Sequence, residues 1–228
     1  MNMKISRGNI LRVSSAAFCL ICLNAMLPMT KNTALAEEQK PIKLAQPQLD
    51  VNPLLNLLAK RNSSRAFSTE ALPVNILSNL LWAACGINRP DSGKRTAPSA
   101  KNEQEIDVYV ATATGLYLYD PKSSLLKPIL AKDIRGMTGI QEFVKDAAVN
   151  LIYVADYSKM GSLSDETKLM YAAAGTGFIS ENVYLYCASE GLATVVRASI
   201  DRPALAKVVG LRPDQRIILA QSVGYPAK

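Results

Sequence analysis

Apolar positions along the chain follow two periods, and the changes between them mark its elements. From Asn52 to Lys60, Leu54, Leu55, Leu57 and Leu58 recur at helical spacing behind an N-cap residue and a proline at the first helical position. A second helical pattern starts near Pro73, with Ile76, Leu77, Leu80, Leu81 and Ala84 on one face, and Gly86 is its natural stop. Residues 87–102 are rich in Pro, Ser, Asn and charge, which predicts a loop. "IDVYVATA" and "GLYLYD" then predict a β-hairpin closed by Asp120-Pro121. The continuous apolar run "AAVNLIYVADY", 147–157, predicts a central strand covered on both faces.

Helical signals return at Ser164. The stretch "DETKLMYAAAGTGFISENVYLYCASEG" predicts a short helix and then a long one ending at Gly191. "LATVVRASI" predicts a strand, Pro203 to Val208 a short helix, and "QRIILAQSVGYP" a final strand. The order describes an α+β domain, a mostly antiparallel sheet with helices packed around it.

The first 36 residues carry a different pattern. A basic start (Lys4, Arg7, Arg12) precedes a short apolar stretch, and small residues end at Ala34-Leu35-Ala36. This predicts a signal peptide over 1–36, cleaved after Ala36, and a periplasmic or secreted protein. The apolar stretch, broken by Ser14, Ser15 and Asn24, falls short of the roughly 20 residues a membrane span needs, so no stable span is expected after cleavage. Residues 37–51 form an extended N-terminal arm, and 52–228 the folded domain.

The leader also changes the charge. It removes Lys4, Arg7, Arg12 and Lys31, so 22 basic residues face 19 acidic ones and the formal charge falls from +7 to +3. No basic stripe remains to argue for nucleic acid. The chain contains no histidine, which excludes Ser-His and Cys-His nucleophile systems and most catalytic zinc sites. Cys85 and Cys187 are left after cleavage; an oxidising compartment would let them pair, but each sits in an apolar pattern that suits a packed free thiol.

Three segments offer chemistry. "RNSSRAFS", 61–68, sets Arg61 and Arg65 around Ser63 and Ser64, which suits either an anion such as phosphate or an exposed polar connector. "RTAPSAKN", 95–102, brings Pro98, Ser99 and Asn102 to the start of a strand, against a flat ligand or as an ordinary loop. "EGLATVVRAS", 190–199, ends on Ala198 and Ser199, small enough for backbone N–H groups to approach a ligand.

Taken in order, these segments with "LLWAACGINRP", "SENVYLYCASEGLATVV" and "VGYP" resemble the nitroreductase family of FMN-dependent oxidoreductases over residues 52 to 226. The pattern looks closest to the branch containing azoline-oxidising dehydrogenases. The resemblance implies an intertwined homodimer with FMN at its interface. It implies that Arg61, Ser63 and Arg65 hold the FMN phosphate and the pyrimidine edge of the ring, and that Pro98, Ser99 and Asn102 approach from the other subunit or side. Val196, Arg197, Ala198 and Ser199 match the segment passing flavin N5, with Arg197 a further positive group near the ring. The implied activity is ping-pong transfer of hydride from a reductant such as NAD(P)H to a nitroaromatic or quinone-like acceptor. The chemistry is borne by the flavin, with no catalytic side chain and no metal. Two other activities fit the same resemblance: an exported FMN dehydrogenase of a specialised heterocycle, and a binding protein without turnover.

The chain departs from the family pattern at three places. Asn62 stands where a basic residue is common, and no Gln-Pro-Trp follows Asn102. Lys228 stands too near Pro226 to match the family's late phosphate-binding Lys or Arg.

Overall fold

The computed structural model describes residues 52–227 together with Ala45, Gln46 and Leu49. The expected leader, most of the expected arm and Lys228 lie outside the described residues. Of the two units into which the chain divides, Met1–Ala45 and Gln46–Lys228, the second holds every element described below.

Helix α1 (Pro53–Lys60) begins where the sequence sets it: the Asn52 side chain accepts from the Leu54 and Leu55 N–H groups at 3.0 and 3.3 Å. Helix α2 (Val74–Cys85) buries Leu80, Leu81, Ala84 and Cys85 and stops at Gly86. The expected loop that follows contains a small ribbon, β1 (Ile87–Arg89) against β2 (Lys94–Arg95), and two 3₁₀ turns. The predicted hairpin is β3 (Ile106–Thr112) and β4 (Gly115–Asp120).

Strand β5 (Leu125–Leu130) carries no clean alternation and went unpredicted. It lies at the sheet edge, where Pro128 is tolerated because one side of the strand needs no ladder partner. Strand β6 (Val149–Asp156) is buried along its whole length, between β3 and the final strand β8 (Gln215–Gly224). Strand β7 (Ala193–Arg197) closes the other edge. The six strands order β5-β4-β3-β6-β8-β7, and every neighbouring pair is antiparallel.

One correction concerns the region after Ser164. It is a single 26-residue helix, α3 (Asp165–Glu190), rather than a short helix and a long one. Ser164 caps it and Asp165 and Glu166 complement its N-terminal dipole. Gly175 and Gly177 do not break it, since each costs only about 1 kcal/mol within a helix. Ala172, Ile179, Val183 and Cys187 bury one face of α3 and hold it continuous. Gly175 has its own reason: a Cβ there would stand 2.8 Å from Oε1 of the buried Glu105.

Two cores flank the sheet. One packs α2 and α3 against Val108, Val110, Leu151 and Tyr153. The other packs α4 (Arg202–Val209) against Tyr109, Ile152, Val154 and Ile217. Cys85 and Cys187 are buried and free, their thiols pushed up by burial to about 11 and about 12. Among the described residues no helix is long and apolar enough to cross a membrane, and no three His, Cys, Asp or Glu side chains gather as metal ligands.

Candidate functional site

The 61–68 stretch links α1 to α2 without regular structure, so its backbone groups need partners elsewhere. They find them on β7 and the C-terminal segment. Ser64 N–H donates to Thr194 O at 2.9 Å, Ser68 N–H to Tyr225 O at 2.8 Å, and Phe67 bridges Pro226. The connector is therefore tied along the end of the sheet.

Its side chains converge on Tyr184 of α3, a residue no local motif singled out. The Tyr184 hydroxyl lies 2.8 Å from Ser63 Oγ and accepts from the Val196 N–H at 2.9 Å. The Arg61 guanidinium sits over the Tyr184 ring, 5.3 Å from its centroid. One side chain thus fixes Arg61, Ser63 and the end of β7 relative to one another. Neither Arg61 nor Arg65 has a carboxylate partner among the described residues, and Arg65 is exposed. The anchored Arg61 and Ser63, with the exposed Arg65 beside them and neither guanidinium neutralised, make a donor set suited to a phosphate.

At the other end of the connector Phe67 packs on Phe143, with ring centroids 5.9 Å apart. Phe143 belongs to the 135–145 segment between β5 and β6, which the sequence left unassigned. The same segment meets β7 through Arg197. The Arg197 Nη1 donates to Thr138 O at 2.9 Å and its Nη2 to Thr138 Oγ1 and Asn150 Oδ1 at 3.2 and 2.8 Å. Its Nε donates to Ser222 Oγ at 3.1 Å.

The positive group that the resemblance sets near the ring at Arg197 lies inside the fold. The guanidinium is buried and four of its donors serve internal acceptors, none of them a carboxylate. Burial pulls its pKa down to about 10, so it stays charged at neutral pH. Just beyond it, Ala198 and Ser199 are exposed, and the Ser199 carbonyl accepts from the Ile140 N–H at 3.1 Å. The structure thus brings together Arg61, Ser63, the 196–199 segment and the 138–143 segment.

Pro98, Ser99 and Asn102 lie elsewhere. Ser99 Oγ accepts from the Gln104 N–H at 2.9 Å, and Asn102 Oδ1 from Gln104 Nε2 at 3.2 Å. Lys101, Asn102 and Gln104 all have positive φ, at 52°, 58° and 49°. Three such residues within four positions store strain that ordinary loops relax. Behind the loop is a cavity of about 10 Å³ lined by Pro98, Ser99, Glu105 and Gly175, the size of one water. Burial raises the Glu105 carboxyl, whose two oxygens have no partner.

Gly175 and Tyr184 are nine residues apart on α3, roughly 13 Å along its axis and about half a turn around it. The loop and the arginine site therefore lie on opposite faces of that helix within one chain. N-terminal to Tyr184, its side of α3 exposes Met170 and Phe178 at 57% and 49%, with Ala173, Ala174 and Gly177 between them. A long helix with apolar residues on every side is one that another surface covers.

Comparison with known proteins identifies the family and the fold. Residues 58–225 match the nitroreductase family. A crystal structure from Ralstonia eutropha JMP134, described provisionally as a nitroreductase, is 42% identical with a TM-score of 0.74 and covers 83% of this chain and 88% of its own. A protein of Methanocaldococcus jannaschii with the same provisional description is 27% identical over 164 residues, 68% of this chain and 82% of its own. A structure from Desulfovibrio desulfuricans solved in complex with FMN shares the fold, at 22% identity and a TM-score of 0.56, covering 78% of this chain and 88% of its own.

Proposed function

Because the chain belongs to the nitroreductase family of FMN-dependent oxidoreductases, we propose that it binds FMN between the 61–65 connector and the end of β7 and uses it to reduce a small organic acceptor. The observation that carries this reading is the un-neutralised pair of Arg61 and Ser63, fixed by Tyr184 beside the end of β7, with the exposed Arg65 two residues beyond Ser63 on the same connector. Bound there, FMN would supply hydride chemistry that needs no protein nucleophile, in keeping with a chain that contains no histidine.

The protein's own tasks are binding, orientation and exclusion of water. Arg61 and Arg65 would hold the phosphate by charge-assisted hydrogen bonds, with Ser63 as a further donor. Backbone N–H groups at Ala198 and Ser199 would face the ring edge, as the family resemblance implies. The buried Arg197 keeps its charge behind them without touching the ligand, and a fixed positive charge in a low-dielectric setting favours a reduced, anionic ring.

The reading includes a second copy of the chain. Pro98, Ser99 and Asn102 sit across α3 from the arginines, so they would complete a partner's site rather than their own. The exposed apolar face of α3 supports a homodimer that makes this possible. NAD(P)H is the proposed reductant and a nitroaromatic or quinone the acceptor class, in a ping-pong exchange. A leader over 1–36 would deliver the protein outside the cytoplasm, which N-terminal sequencing of exported material tests: a mature start at Glu37 is expected, and a retained Met1 contradicts it.

Flavin retention tests the site. Arg61→Ala and Arg65→Ala should each leave a folded dimer that loses FMN on gel filtration. Full flavin content in both variants contradicts the assignment. Bound flavin that nicotinamides fail to reduce would instead point to the specialised heterocycle dehydrogenase.

A further inference from the structure

We infer that the Met137–Gln141 segment is the acceptor-side wall of the proposed flavin site, with Ile140 selecting flat, apolar acceptors of the quinone class and Arg197 positioning it. The inference rests on the FMN reading above and adds the specificity element that the motifs lack.

Three independent contacts clamp the segment against both halves of the site. At one end Phe143 packs on Phe67, which closes the arginine connector. In the middle Arg197 donates to both the carbonyl and the hydroxyl of Thr138. Next to it the Ile140 N–H donates to the Ser199 carbonyl, in the segment proposed to face the ring. The fit at Gly139 is close: a Cβ there would stand 2.0 Å from Arg197 Nη1, so only glycine lets the backbone run over the guanidinium.

What this clamp holds outward is apolar. Ile140 is 73% exposed and Met137 40%, although the backbone beneath them is firmly bonded. Exposed aliphatic side chains on a rigid segment have no packing role within the chain, and here they flank the proposed ring edge. Exposed apolar surface of this kind suits a planar ring system of low charge better than an ionic oxidant.

Arg197 acts here as a positioning residue. It does not meet the acceptor, and its donors are engaged by Thr138, Asn150 and Ser222. Loss of the clamp should loosen the wall while the phosphate contacts of Arg61 and Arg65 remain.

The test uses the full-length holoprotein and two oxidants, menadione and ferricyanide. Ile140→Ala is a surface change and should keep FMN content unchanged. It should weaken menadione binding, measured by calorimetry on the oxidised protein, by about tenfold, the effect of removing a few methylene-sized contacts. The selectivity for menadione over ferricyanide in kcat/KM should fall by the same factor. Ile140→Val should recover most of it. Gly139→Ala should lose menadione affinity with FMN still bound, because it displaces Arg197. If FMN is bound but Ile140→Ala leaves menadione affinity and selectivity as in the wild type, the wall assignment is wrong and the flavin reading stands. If the wild type takes up no FMN, both fall.

Discussion

Tyr184→Phe isolates the bond that holds the proposed site together. The substitution removes one oxygen and keeps the ring, so the stacking of Arg61 on it survives. Two hydrogen bonds disappear: the one shared with Ser63 Oγ at 2.8 Å and the one received from the Val196 N–H at 2.9 Å. Ser63 is exposed and recovers a bond to water, whereas the half-buried Val196 N–H does not fully do so. An unsatisfied buried donor costs about 1–3 kcal/mol, and partial exposure favours the lower half of that range, about 1–2 kcal/mol. For a domain of this size that corresponds to a fall in Tm of about 3–6 °C. Loss of register between the connector and β7 should also weaken FMN by roughly tenfold, equivalent to about 1.4 kcal/mol. Differential scanning calorimetry of the apoprotein reads the first effect and quenching of FMN fluorescence the second. A variant with unchanged Tm and unchanged FMN affinity would refute the claim that Tyr184 fixes the site.

Other outcomes follow from the buried groups. Burial raises the folded-state pKa of Glu105 above its unfolded value, so its contribution to stability is full at low pH and is lost as pH rises through the raised value. Glu105→Gln should therefore unfold at a higher temperature than the wild type at pH 7–8, with the gap closing towards about pH 4; a gap independent of pH contradicts this. Cys85 and Cys187, with thiols pushed up to about 11 and about 12, should resist iodoacetamide in the native protein at neutral pH and react after unfolding, as peptide mapping would show. Arg197→Met should destabilise the protein by about 1–3 kcal/mol, because it strands the Thr138 carbonyl inside the fold, and chemical denaturation measures it.

Much of the fold was legible because local signals agreed with packing. Asn52-Pro53 starts α1, Gly86 stops α2, and the uninterrupted apolar run of β6 announces a strand covered on both faces. The misses have physical causes. β5 lies at an edge, where burial imposes no alternation, and Gly175 within α3 answers to Glu105 rather than to helix termination. For the candidate site, the arginine and serine spacing was visible, but what holds it was not. Tyr184 lies 121 residues from Ser63, and Phe143 meets Phe67 only through the fold. Arg197 illustrates the limit from the other side: only the structure reveals that its donors are taken by Thr138, Asn150 and Ser222 and that it is buried.

The central claim is that Arg61, Ser63 and Arg65 hold FMN. The most direct measurement is the visible spectrum of the purified chain, recorded after incubation with FMN and gel filtration, for the wild type and for Arg61→Ala and Arg65→Ala. The account predicts a retained flavin band at about 450 nm in the wild type, bleached by NADPH, and its loss in both variants. A colourless wild type, or variants that retain the band in full, would contradict it.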